Sequence, residues 1–139
     1  MIKFLLIVGT FFNFSPQQSI TIVTTIMDKP QIAKKLRRIC YRESRCRRIG
    51  VHKGDAELAY KDGWSAQVRL GHIDPKCQPY RKDEWATRGS FGLSAVSHWA
   101  YMPECYQPEW FDVPLVSAWV AANKYMKRCY PKKTIGWCK

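Results

Sequence analysis

DKPQIAKKLRRICYRESRC, residues 28–46, is the stretch from which the rest of the chain can be read. Asp28 is a candidate N-cap, and Pro30 falls in the first turn, where a missing N–H costs least. At about 100° per residue, Ile32, Leu36, Ile39 and Cys40 form one apolar stripe, and Glu43 lies in the middle of it. Lys34, Lys35, Arg37, Arg38 and Arg42 occupy the opposite, solvent-facing side, so the charges set the register of the helix. Glu43 is therefore expected to face the core. A carboxyl held among apolar groups resists ionisation and is suited to donating a proton near neutral pH, whereas pairing with Arg42, Arg45 or Arg47 acts the other way. The sequence leaves both outcomes open, and Glu43 is the candidate general acid.

The chain of 139 residues is the size of one domain, and 46% hydrophobic with 14% aromatic residues is ample for a core. The formal charge is +12, with Lys34, Lys35, Arg37, Arg38, Arg42, Arg45, Arg47, Arg48 and Lys53 massed around the first helix. An anionic partner follows from this imbalance. Zinc-finger spacing, an RNA-recognition signature and a helix-turn-helix pair are lacking, so nucleic acid is not the expected partner; bacterial wall polymers and membrane surfaces remain, beside a merely solubilising basic face. Six cysteines, Cys40, Cys46, Cys77, Cys105, Cys129 and Cys138, fit three disulfides of open connectivity and an oxidising compartment. They form no CxxC pair, and His52, His72 and His98 are isolated, so no metal site and no cofactor are expected.

Residues 1–27 read as a secretory signal or a leader outside the domain. Lys3 provides the positive start and Phe4 to Phe12 an apolar run too short to span a bilayer, so no stable membrane insertion is expected after processing. A start at Met27 is the alternative. After Cys46, Asp62-Gly63 is a hairpin signal followed by alternation at Ala66, Val68 and Leu70. Residues 71–90 are rich in Gly, Pro and charge and read as a surface loop. Leu93, Val96, Ala100 and Tyr101 carry helical spacing. Asp112 is read as the cap of a last helix with the stripe Leu115, Trp119, Ala122, Met126 and Cys129, with Lys124, Lys127 and Arg128 outside it. Pro131 stops that helix, and Cys138 pins the tail.

The pair Glu43-Ser44 ending an apolar helix, then Gly89-Ser90-Phe91-Gly92-Leu93, then Ala121-Ala122-Asn123-Lys124-Tyr125-Met126, resembles the lysozyme-like superfamily of goose-type lysozymes and soluble lytic transglycosylases. In that family the pattern reads E-S, G-x-x-G-L-M-Q and a helix of the type AxxYL. The three elements stand in the same order over nearly all of residues 28–129. The chain departs from the pattern at Ser94-Ala95, where the family has Met-Gln, and in the 49 positions that separate Glu43 from Gly92.

The resemblance implies a mainly α (α+β) lysozyme-like domain over residues 28–139, with a small β-hairpin and disulfide staples. It implies a peptidoglycan lytic transglycosylase or lysozyme-type glycosidase, a bacteriolytic activity cutting the glycan strand between N-acetylmuramic acid and N-acetylglucosamine. Glu43 would be the catalytic acid. Ser44, Phe91, Gly92, Leu93, Ser94, His98 and Tyr125 would line the sugar cleft, and Asp74 is the candidate second carboxylate. Action would be at the cell wall, by a secreted, periplasmic or extracellular protein or a phage-encoded one. The rival is a non-catalytic cationic protein that binds the wall or acts on bacteria by charge.

Overall fold

Ser15 begins the most completely capped of the described helices. In the computed structural model, which describes residues 1–47, 51–52, 87–94, 108–132 and 134–139, helix α1 (Ile2–Phe12) ends at left-handed Asn13. Helix α2 (Pro16–Ile26) follows, with Pro16 in its first turn and a reciprocal capping box between Ser15 and Gln18. A short 3-10 turn, Pro30–Ile32, leads into α3 (Ala33–Ser44). Three two-residue strands, β1 (Val51–His52), β2 (Thr87–Arg88) and β3 (Leu93–Ser94), pair antiparallel in that order, with Val51 opposite Arg88 and Thr87 opposite Ser94. A second 3-10 turn, Pro108–Asp112, precedes α4 (Pro114–Arg128), and a third, Gly136–Cys138, lies in the tail. The described residues are mainly helical.

Helix α4 is the centre of the packing. Leu115, Val116, Ala118, Val120, Ala121, Ala122 and Tyr125 are all buried, so apolar contact surrounds more than one face of the helix. The run of small residues lets neighbouring backbones come close, and α2 and α1 supply its main helical contacts. Leu5 of α1 and Ile20 and Val23 of α2 complete this core with Leu36 and Ile39 of α3. Gly9 permits the close approach of α1: a Cβ there would stand 2.6 Å from Val113 Cγ1 and 3.1 Å from Leu115 Cβ. Residues 1–27 thus share one core with α3 and α4, while Phe4, Ile7, Phe11 and Phe12 remain exposed. No described helix is long and apolar enough to cross a membrane.

The stripe Ile32, Leu36, Ile39 and Cys40 is buried as its spacing predicts. The capping expectations need correction. Asp28 is not an N-cap; it is left-handed (φ 55°), and its N–H returns to Thr25 O at 3.0 Å, because the preceding turn is still the end of α2. Helix α3 instead starts behind the Pro30–Ile32 turn. Asp112 closes a 3-10 turn, and extended Val113 holds the N-cap position of α4, with Pro114 needing no donor bond. Leu93 does not open a helix but sits in β3, paired with Arg88; β2 in turn lies within the stretch read as loop. Two disulfides are described, Cys40–Cys46 and Cys129–Cys138, the second pinning the tail as expected. The hairpin at Asp62-Gly63, and Cys77 and Cys105, lie outside the described residues.

Candidate functional site

Helix α3 ends just where Glu43 projects. Left-handed Arg45 (φ 57°) breaks the helix, the N–H groups of Arg45 and Cys46 return to the carbonyls of Tyr41 and Cys40, and the Cys40–Cys46 disulfide closes the turn. Glu43 is consequently one residue from a fixed helix terminus, at the edge of the core. Its side chain is 31% exposed, so the expected burial is not reached. The reason is that the stripe runs out of core at Cys40, one turn before the carboxylate.

Arg42 settles the pairing that the sequence left open. Its Nε and Nη2 donate to Glu43 Oε1 at 3.2 and 3.0 Å. Nη2 also donates to Trp137 O at 2.6 Å, and Nη1 to Lys139 O at 3.0 Å, so the same guanidinium ties α3 to the C-terminal segment. The second carboxylate oxygen lies against the turn before β3. A Cβ built on Gly92 (φ 61°) would be 2.8 Å from Glu43 Oε2 and 3.3 Å from Glu43 Cβ. Only a bare, left-handed backbone fits there.

Ser44 locks this approach. Its hydroxyl donates to Ser90 O at 2.7 Å and accepts from Arg47 N–H at 3.2 Å, while Ser90 Oγ donates to Arg47 O. Phe91 and Leu93, on either side of Gly92, are fully buried and anchor the turn from beneath. They are therefore core residues, not cleft-lining ones. Ser94 is placed by β3. Tyr125, only 2% exposed, is also in the core. His98 and Asp74 lie outside the described residues. The structure thus brings Glu43, Ser44 and Gly92 together and assigns Phe91, Leu93 and Tyr125 to packing.

Three side chains of this neighbourhood were not among the expected site residues: Arg42, Trp137 and Lys124. Trp137 donates through Nε1 to Phe91 O at 3.1 Å, fixing its indole against the Gly92 turn. Lys124, expected outside the apolar stripe of α4, is 7% exposed, with Nζ 4.3 Å from the centroid of the Trp137 ring. Burial, reinforced by Arg128, lowers its pKa from 10.5 to about 8, against the raising influence of Glu43. The signal for it was present, since Val116, Val120 and Lys124 recur every four residues on one line of α4. The tail that covers it could not be read from periodicity. Chemically the site is one partly exposed carboxylate, paired with Arg42 and backed by the bare backbone of Gly92.

No protein-family model, curated protein or solved structure matches the chain.

Proposed function

We propose that this protein cleaves the glycan strand of peptidoglycan between N-acetylmuramic acid and N-acetylglucosamine, with Glu43 as the proton donor. The observation that carries the reading is the seating of Gly92 on the Glu43 carboxylate, 2.8 Å from Oε2 to a would-be Cβ, across 49 positions of sequence. A carboxyl beside side-chain-free backbone at the edge of a core is reachable by a sugar ring, and a single acid suffices to protonate the glycosidic oxygen as an oxocarbenium-like sugar develops. Residues 44–54 and 89–101 contain no Asp or Glu. Without a carboxylate from these segments to hold a water or trap the sugar, attack by the muramyl 6-hydroxyl is the favoured ending, giving a 1,6-anhydro product; Asp74 is the residue to test if hydrolysis dominates. The disulfides suit work at the cell wall, outside the reducing cytosol.

The test is digestion of purified walls. Glu43→Gln keeps size and hydrogen bonding but removes the transferable proton, and should abolish muropeptide release while the circular dichroism stays unchanged. Release within a few-fold of wild type would end the assignment. Mass spectrometry separates the two endings, a reducing product being heavier than the anhydro one by one water.

One observation favours the non-catalytic rival. Arg42 holds Glu43 and two tail carbonyls at once, which makes the carboxylate a strut for the C-terminal segment. A purely cationic wall binder would bind walls in a salt-sensitive way and release no sugar fragment.

A further inference from the structure

Between the last turns of α4 and the C-terminal segment lies a depression of about 270 Å³, lined by Lys124, Arg128, Ile135, Gly136, Trp137 and Cys138. Among the described residues its lining holds two cations and no acidic residue. Lys124 is only 7% exposed, and among the described residues its ammonium makes no hydrogen bond and no close ion pair; the face of Trp137 and the more distant carboxylate of Glu43 are what act on it. A cation this deeply set is normally paired, because burial disfavours the ammonium; the nitrogen of Lys124 is not itself sealed off, and the residue lines the depression, where an acceptor can reach it. The depression supplies the space for an anion that would restore this pairing. The indole beside it is held by Phe91 O, and its own carbonyl is held by the Arg42 that also binds Glu43, so the depression and the carboxylate share one rigid frame.

We propose that this depression binds a carboxylate carried by a muramyl residue, with the Lys124 ammonium as the anion's partner and Trp137 as the wall against which the ligand packs. The ligand class rests on the cleavage reading above; the anion site itself does not. The volume is below the roughly 300–1,000 Å³ usual for drug-sized ligands, which suits one sugar with its acidic substituent and not a length of strand. Two carboxylates could serve, the lactyl group of a peptide-free muramyl sugar or the first free carboxylate of an attached stem peptide.

Isothermal titration of the wild-type chain with N-acetylmuramic acid, muramyl dipeptide and neutral N-acetylglucosamine distinguishes them. At least one acidic ligand should bind about tenfold or more tightly than the neutral sugar, as expected for a charge-assisted hydrogen bond, and which one does identifies the carboxylate. Lys124→Met should remove that preference, and Lys132→Met, at an exposed position, should keep it. A readout on the unmutated protein guards against a misfolded variant. Lys124 titrates near pH 8 under the combined action of its burial, Arg128 on its own helix and Glu43 from α3, so the preference should fall about tenfold between pH 7 and pH 9. Equal binding of acidic and neutral sugars, a preference that survives Lys124→Met, or one that is flat across that pH range would overturn the proposal. Wall cleavage without acidic preference would sink this inference alone, and acidic preference without cleavage would sink only the catalytic reading.

Discussion

Replacing Lys124 by Met should make the protein more stable, which is unusual for a core substitution. Its pKa of about 8 against 10.5 in the unfolded chain means that folding disfavours the ammonium by about 3 kcal/mol at 1.36 kcal/mol per unit. Lost contact with the Trp137 ring gives back about 1–2 kcal/mol. Methionine has nearly the same length and brings no charge, so the net gain at pH 7 should be about 1–2 kcal/mol in urea unfolding. The pH dependence carries the sign. Between pH 8 and 10.5 the folded protein has released the Lys124 proton while the unfolded chain still binds it, so wild-type stability rises with pH across this window. The advantage of the variant should accordingly shrink toward zero by pH 9.5, and comparing the two proteins cancels the titration of every other group. A variant less stable than wild type by the same amount at both pH values would refute the reasoning and make Lys124 an ordinary packing residue.

Gly92→Ala places a methyl 2.8 Å from Glu43 Oε2 on a backbone with φ 61°, and should cost about 1–3 kcal/mol in denaturant unfolding while also suppressing wall digestion. Replacing both Cys129 and Cys138 by Ser opens a loop of sequence separation 9, and should lower stability by about 2–3 kcal/mol and free the tail, read as faster proteolysis near Trp137. A chain beginning at Met27 loses the buried Leu5, Ile20 and Val23 from the surface of α4, and should bind a hydrophobic dye and melt at lower temperature; an unchanged melting temperature would show that α1 and α2 are dispensable.

Periodicity carried the reading wherever one element decides its own face. The stripe of α3, the extent of α4 and the pinned tail were legible because charge and apolar spacing agree within each segment. Lys124 runs against its residue type: a lysine on one line with Val116 and Val120 is covered because the tail folds over it. Asp28 and Asp112 escaped because capping depends on the backbone that arrives before the helix. At Asp28 that backbone is the end of α2, and at Asp112 it is a 3-10 turn.

By itself the sequence determined a mainly helical, strongly basic, disulfide-bearing chain, and marked Glu43 as a carboxylate on an apolar stripe; Gly92 stood out only through the resemblance of its motif. Local rules suffice for that, since helix faces, charge balance and cysteine content need no knowledge of distant neighbours. Only the tertiary structure decided that Gly92 sits on the Glu43 carboxylate, that Arg42 joins it to the tail, and that Trp137 folds back over Lys124. These contacts join segments separated by 13 to nearly a hundred positions, and which of them form depends on how the helices around α4 pack, a property of the whole chain and of no single stretch.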